Sequence, residues 1–212
     1  MKKIEITVYT IDELKETNKN AYNKVIDDAK EKIINNRFDF ASFDISIILK
    51  EKYNLSVDEK NIYYSISYCQ GDGMCFTMDH ILSYIHIKNN MLLNVFEKWI
   101  TNNLNDDEKM LLLEYLNCNY NLSIKKKSHH YEHAYTCFID YEYFYSSDDP
   151  KFLDRMNNFI SDLCDKLFNN VYVVVCGEIE KILYNYYDVD DDECIDNIND
   201  NGYMFDIDGD IY

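Results

Sequence analysis

The stretch from Pro150 to Tyr186 constrains the fold more than any other part of this chain. Its apolar residues recur every three or four positions and stay in phase for about ten turns of an α-helix. Pro150 stands in the first turn, where a helix tolerates proline. The run VYVVVC, residues 171–176, favours a strand locally, but it keeps the helical phase. We therefore predict one long helix near the C-terminus. The residues in phase are Phe152, Met156, Phe159, Leu163, Leu167, Val171, Val175, Ile179, Ile182 and Tyr186.

Helical patterns also occupy the first quarter of the chain. In the segment TIDE, Thr10 and Glu13 form a capping box that starts a helix, which we expect to end at Asn35 and Asn36. A second helix is predicted over residues 38–53. The predicted buried stripe of the first helix is Leu14, Ala21, Val25, Ala29 and Ile33, and that of the second is Phe40, Phe43, Ile47 and Ile48.

Two more helices are predicted in the middle of the chain. The apolar residues of the first are Leu92, Phe96, Trp99 and Ile100, and those of the second are Leu112, Tyr115 and Leu116. Asn105 can cap the second helix, and the three acidic residues after it suit the positive end of the helix dipole.

Strand patterns separate these helices. Residues 62–68 and 74–78 read as a β-hairpin around the glycines of QGDG, and residues 120–126 and 133–146 read as a second hairpin. Residues 2–9 alternate as a half-buried strand does, and residues 203–212 suit an edge strand with an Asp-Gly turn. The 5 glycines and 1 proline leave no flexible linker. We predict a single α+β domain over residues 1–212. It is an antiparallel sheet of two hairpins plus terminal strands, packed against several helices.

Charge indicates the class of partner. The chain carries 39 acidic and 21 basic residues, a formal charge of −18, which disfavours direct binding to nucleic acid or to an anionic membrane and favours a basic protein. An acidic C-terminal segment, residues 184–212, contains ten carboxylates and no lysine or arginine. We predict a partner-binding surface there, and the alternative is an acidic, partly frayed tail. The predicted contact residues are Asp188, Asp190, Asp191, Asp192, Glu193 and Asp196, with Tyr186 and Tyr187 as aromatic anchors.

Cysteine usage indicates the compartment. The chain has 7 cysteines, an odd number, with no CxxC pair, which is typical of a reducing interior. No stretch approaches eighteen consecutive apolar residues. We therefore expect a cytoplasmic protein.

The segment YCQGDGMCF, residues 68–76, is where glycines, an acid, an amide and two cysteines come together. A structural turn explains Gly71, Asp72 and Gly73 without a ligand, and a binding loop is the alternative. A phosphate cradle lacks a helix N-terminus and a nearby cation. A cysteine nucleophile would need an activating histidine, and only His80 is close in sequence. We predict no catalytic residue and no cofactor.

Two other segments invite a metal-binding interpretation. The histidines of KKKSHHYEH, residues 125–133, follow three lysines, which disfavour a cation. In the acidic run from Asp188, Glu193 occupies the place where an EF-hand loop needs glycine, and Asn199 the place of its last ligand. We predict no metal site.

The hairpin motif Cys69, Gln70, Gly71, Asp72, Gly73 and Phe76, with TIDEL near the start and GYMFDIDGDIY at the end, resembles a family of small phage and prophage proteins. Members share a (S/C)QGDG-x-x-F hairpin and are often described as antitoxin-like. The resemblance covers about half of the chain. It implies an accessory protein of a phage or mobile element, a setting in which small acidic proteins often inhibit host defence, as anti-CRISPR proteins do.

Three functions follow from these observations. The first is a non-enzymatic, phage-encoded inhibitor that binds a basic, nucleic-acid-handling host protein such as a CRISPR effector nuclease. The second is an antitoxin-like protein that neutralises a cognate toxin. The third is an enzyme that acts on a small signalling molecule through the QGDG loop. The oligomeric state stays open.

Overall fold

A computed structural model describes residues 7–67, 71–82, 94–128 and 130–212. It confirms the α+β class, with several helices and two antiparallel hairpins. The chain divides into two compact units. Unit 1 comprises the chain up to Ala41 together with Tyr184–Tyr212, and unit 2 comprises Ser42–Leu183. The expectation of a single domain stays a prediction, and the units are described separately.

The helices of unit 1 differ from the sequence expectation at Asn18. The predicted single helix is two helices, α1 (Ile11–Thr17) and α2 (Lys19–Asp39). Asn18 takes an extended conformation, ends α1, and caps α2 by accepting a hydrogen bond from the backbone N–H of Ala21 at 3.2 Å. A short amide side chain is among the best helix caps, which explains the break. The predicted end at Asn35 and Asn36 is also wrong, because α2 continues to Asp39.

The acidic C-terminal segment is part of the folded core of unit 1. The helix here designated α8 (Asp191–Asp200) places Cys194 and Ile198 in the core beside the buried residues of α1 and α2. Phe205 is also buried, with 2% of its surface exposed. The frayed-tail alternative is therefore wrong for this segment.

The terminal strands appear as single bridges. Tyr9 and Phe205 form a pair of backbone hydrogen bonds of 2.8 and 2.9 Å, and Phe205 also bridges to Ile211. Between them the chain reverses at Gly209, whose φ of 83° lies in the left-handed region that glycine adopts readily. The first residues of the predicted strand 2–9 lie outside the described residues.

Both predicted hairpins are confirmed in unit 2. The first pairs β1 (Ile62–Ser65) with β2 (Gly73–Phe76), and the second pairs β3 (Leu122–Lys126) with β4 (Cys137–Tyr141). Each forms a two-stranded antiparallel sheet. A single antiparallel bridge between Met78 and Ile124 joins the end of the first hairpin to the second.

The helices of unit 2 include the long helical region that the sequence predicts. Helices α6 (Pro150–Leu167) and α7 (Val173–Tyr184) are joined by one π-helical segment, Phe168–Tyr172, so the chain stays helical through VYVVVC. Pro150 stands at the start of α6, as expected. Further helices among the described residues are α3 (Ala41–Tyr53), α4 (Val95–Asn103) and α5 (Asp106–Asn117), and Asn105 caps α5 as predicted.

The predicted buried face of α3 is wrong. Phe40, which precedes the helix, is 60% exposed, Phe43 is 49% exposed and Ile47 is 36% exposed. The buried row runs through small Ala41 and then Ile45 and Leu49. Apolar residues occur on more than one side of this helix, so its sequence fits more than one buried face.

Candidate functional site

The acidic helix α8 begins with a cap that one of the predicted contact residues supplies. The Asp190 carboxylate accepts a hydrogen bond of 2.8 Å from the backbone N–H of Glu193. Asp191, Asp192 and Glu193 fill the first turn, where carboxylates interact favourably with the helix dipole. Asp190 therefore has a structural role in starting α8.

Arg37 of α2 fixes the entry to this helix. Its Nη2 donates to both carboxylate oxygens of Glu193, at 2.7 and 2.9 Å. Its Nη1 donates to the backbone oxygens of Tyr186 and Asp188, at 3.1 and 3.2 Å. A guanidinium can make this fork because its donors lie in one plane. Glu193 thus has a cationic partner inside unit 1.

Two further carboxylates of the segment are also paired with α2. Lys30 contacts Asp191 at 2.7 Å and Lys24 contacts Asp210 at 2.6 Å. The hydrogen bond to the aspartate is the main cause that raises the pKa of each lysine. The negative field of residues 184–212 is therefore partly neutralised by basic side chains of the same unit.

Three carboxylates of α8 have no such partner. Asp192, Asp196 and Asp200 are exposed and stand four residues apart, so they lie along one face of the helix, about 6 Å from one to the next. Within the described ranges, these carboxylates form no ion pair or side-chain hydrogen bond. We call these three residues the acidic stripe. It contains two of the predicted contact residues and adds Asp200.

The two predicted aromatic anchors contribute to packing in unit 1. The ring centroids of Tyr186 and Tyr187 lie 5.5 and 5.2 Å from that of Phe38, and both side chains are partly buried. Asp188, another predicted contact residue, is exposed and accepts from Arg37 through its backbone. The role of these residues in binding a partner stays a prediction.

Gly71 and Asp72 of the QGDG segment lie in the connection between β1 and β2. Cys69 and Gln70 lie outside the described residues. The Asp72 carboxylate accepts hydrogen bonds from the Ser65 hydroxyl at 3.0 Å, and from the Ser67 backbone N–H at 2.6 Å and hydroxyl at 3.0 Å. These bonds within the hairpin give Asp72 a structural role, as the turn interpretation predicts.

Close packing requires glycine at both Gly71 and Gly73. Gly71 and Gly73 have φ values of 106° and 146°, which side chains rarely adopt. A Cβ at Gly71 would lie 2.1 Å from the Tyr131 ring, and one at Gly73 would lie 2.8 Å from His133 Cβ. The glycines therefore bring the turn against residues 131–133, which accounts for them without a ligand.

Cys75 and Phe76, the last two residues of β2, are both fully buried. The Tyr172 hydroxyl donates to the Phe76 backbone oxygen at 2.9 Å and accepts from its N–H at 3.0 Å. Cys75 is 0% exposed, and a hydrogen bond with the Cys137 thiol, together with burial, raises its pKa. A nucleophilic cysteine needs an accessible thiolate, so Cys75 does not have the properties of one.

Across residues 7–67, 71–82, 94–128 and 130–212, no three His, Cys, Asp or Glu side chains are grouped as metal ligands. None of the described helices combines the length and the apolar character that crossing a membrane requires.

Comparisons with protein-family models, with curated proteins and with solved structures found no match to this chain. The resemblance to phage proteins therefore stays a prediction that rests on the hairpin motif and the two ends of the chain.

Sequence reasoning missed the partners of the acidic residues, Lys24, Lys30 and Arg37. Lys30 and Arg37 are seven residues apart, which places them on one side of a helix, and this spacing is the signal that could have identified them.

Proposed function

We propose that this protein is a non-enzymatic inhibitor, encoded by a phage, that acts in the bacterial cytoplasm on a host defence protein. Its target is a basic, nucleic-acid-handling effector such as a CRISPR effector nuclease. It binds this target through the acidic stripe, Asp192, Asp196 and Asp200. The observation that carries the proposal is that these carboxylates are exposed on one helix face and have no cationic partner in the described part of unit 1.

The spacing of the stripe supports competition with nucleic acid. Successive carboxylates rise about 6 Å along α8, because four residues separate them. One strand of DNA carries a charge about every 3.4 Å of helix axis, so the stripe corresponds to about every second phosphate. Lysine and arginine side chains that line a nucleic-acid channel could pair with such a row. Electrostatic steering would also accelerate the encounter of an acidic protein with a basic channel.

The paired carboxylates define which residues a test must leave intact. Asp190 caps α8, Asp191 binds Lys30 and Glu193 binds Arg37. Neutralising them would disturb the helix as well as the charge. The variant Asp192→Asn/Asp196→Asn/Asp200→Asn removes three charges that form no ion pair or side-chain hydrogen bond in the described part of unit 1, and only Asp192 of the three lies in the first turn of α8.

The test is inhibition of target-DNA cleavage by a panel of guide-loaded CRISPR effector nucleases. We expect the wild-type protein to inhibit at least one of them. The stripe variant should bind that nuclease about tenfold more weakly, since three exposed ion pairs contribute about 1–2 kcal/mol together. A control variant, Glu51→Gln/Asp154→Asn/Asp165→Asn, removes the same charge from exposed positions of unit 2 and should inhibit like wild type. Equal inhibition by the stripe variant would refute the proposed binding surface.

A further inference from the structure

A short segment after β4 exposes two tyrosines around a buried phenylalanine. Tyr143 is 52% exposed and Tyr145 is 72% exposed, whereas Phe144 between them is 1% exposed. The Phe144 ring packs against Phe152, with centroids 5.8 Å apart. Phe144 therefore anchors the segment in unit 2 while its neighbours face solvent.

The backbone of this segment is held in place by side chains of unit 2. The Tyr115 hydroxyl donates to the backbone oxygen of Glu142 at 2.7 Å. The Asn157 amide accepts from the Phe144 N–H at 2.7 Å and donates to its C=O at 3.2 Å, as a neighbouring strand would. The segment lies beyond the last β4 pair, yet the C=O of Glu142 and both backbone polar groups of Phe144 have partners. The two exposed rings are thus carried on an ordered backbone, which lowers the entropy cost of binding.

The rings form a row that continues from the strand. The centroids of Tyr141 and Tyr143 are 5.6 Å apart with an interplanar angle of 64°, and those of Tyr143 and Tyr145 are 6.4 Å apart at 55°. We call Tyr141, Tyr143 and Tyr145 the tyrosine row. Exposed tyrosines in such a cluster are typical anchors of protein interfaces.

The charge around the row indicates what it can bind. The sequence contains no lysine or arginine between Lys127 and Lys151, and residues 140–149 carry four carboxylates. Of these, Asp140 is paired with Lys125 and Asp149 caps α6, while Glu142, between Tyr141 and Tyr143 in the sequence, is exposed. A nucleic acid would be repelled by this charge. A cation that also stacks on aromatic faces fits both features.

We propose that the tyrosine row, in its acidic surroundings, is a docking surface for arginine side chains of an extended partner segment. A guanidinium is planar, so it can stack face to face on an aromatic ring and pair with a carboxylate through two parallel hydrogen bonds. A lysine ammonium is a compact point charge and forms neither the stacked nor the two-donor contact. The surface lies in unit 2 and does not depend on the acidic stripe or on the proposed inhibitor function.

The probes are two ten-residue peptides, one alternating arginine with serine and one alternating lysine with serine. Binding is followed by NMR chemical shifts at two salt concentrations. We expect the arginine peptide to bind at least fivefold more tightly than the lysine peptide. The variant Tyr143→Leu/Tyr145→Leu should lose this preference, and Glu142→Gln should reduce binding of both peptides. The control Tyr212→Leu removes a ring that is 71% exposed, in unit 1, and should bind like wild type.

Three results would overturn the proposal. The first is equal affinity for the two peptides in the wild-type protein. The second is an unchanged arginine preference in the double variant, with folding checked by circular dichroism. The third is binding of a different partner to the row. This would be seen as self-association of the wild type in sedimentation that the double variant abolishes, or as tighter binding of a ten-residue oligothymidylate than of the arginine peptide. If the double variant does not fold, Glu142→Gln still tests the carboxylate.

Discussion

Arg37 offers the sharpest test of how the acidic segment is held in unit 1. The substitution Arg37→Ala removes the two hydrogen bonds to Glu193 and the two to the backbone oxygens of Tyr186 and Asp188. The Arg37 side chain is 29% exposed and that of Glu193 is 42% exposed, so solvent weakens the ion pair. We assign it about 1 kcal/mol.

The backbone contacts add to this value. Each carbonyl that loses a donor contributes about 0.5–1 kcal/mol, because the Tyr186 site is only partly buried and the Asp188 site is exposed to water. Arg37→Ala should therefore lower the free energy of unfolding by about 2–3 kcal/mol. Glu193→Gln keeps both backbone contacts and should lower it by about 1 kcal/mol. The control Lys19→Ala, an exposed position of α2, should change it by less than about 0.5 kcal/mol.

The assay is equilibrium unfolding in urea followed by far-ultraviolet circular dichroism. Circular dichroism is the better probe because the single tryptophan, Trp99, lies in unit 2, whereas the helices of unit 1 contribute to the dichroism directly. Raising the salt concentration should diminish the effect of Glu193→Gln more than that of Arg37→Ala, since salt screens charge pairs. The reasoning fails if both variants lose the same stability, or if Arg37→Ala is as stable as Lys19→Ala.

Three further outcomes follow from unit 2. Tyr172→Phe leaves the buried N–H of Phe76 without a partner and its C=O with only the weak bond from the Cys137 thiol at 3.9 Å. It should lower the free energy of unfolding by about 2 kcal/mol in urea titrations, and a loss below about 0.5 kcal/mol would contradict this. Gly73→Ala should lower the melting temperature by several degrees, because φ is 146° and a Cβ has no room; an unchanged value would contradict the packing argument. A hydrogen bond with Lys52 lowers the Glu178 pKa below its ordinary 4.5, so this pair stabilises the fold above pH 4.5 and loses that effect as pH falls. Glu178→Gln should therefore flatten the dependence of the free energy of unfolding on pH between pH 5 and 3.

Local patterns in the sequence predicted much of the fold. The caps at Thr10 and Asn105, both hairpins and the long helical region from Pro150 are present as expected, because each depends on residues within a few positions of one another. Asn18 shows what apolar periodicity misses. The apolar spacing continues across Asn18, although this residue ends α1 and caps α2. A stripe pattern alone does not register such a break.

The candidate surface was only partly predictable. The sequence indicates an acidic segment, but it does not show which carboxylates are already paired. Arg37 is 156 residues from Glu193, and Lys24 is 186 residues from Asp210, so these contacts depend on tertiary structure. Local charge counting therefore treated Glu193 and Asp192 alike, although only Asp192 is left without a partner among the described residues.

The hairpin motif illustrates the opposite case. Sequence reasoning favoured a turn at Gly71 and Gly73, and the structure supplies the reason, which is contact with Tyr131 and His133. Those residues are about 60 positions away, so the sequence could indicate the turn but not the surface it packs against.

The most direct test of the central claim is capture of a partner from a bacterial host lysate at low and at high salt. Three tagged proteins are compared: the wild type, the acidic-stripe variant and the unit 2 charge control. Mass spectrometry then identifies what each retains. The proposal predicts a basic nucleic-acid-handling protein that the wild type and the control retain at low salt, that high salt releases, and that the stripe variant does not retain. Equal capture of that protein by the stripe variant, or retention of one small toxin at both salt concentrations, would contradict the proposed role of Asp192, Asp196 and Asp200.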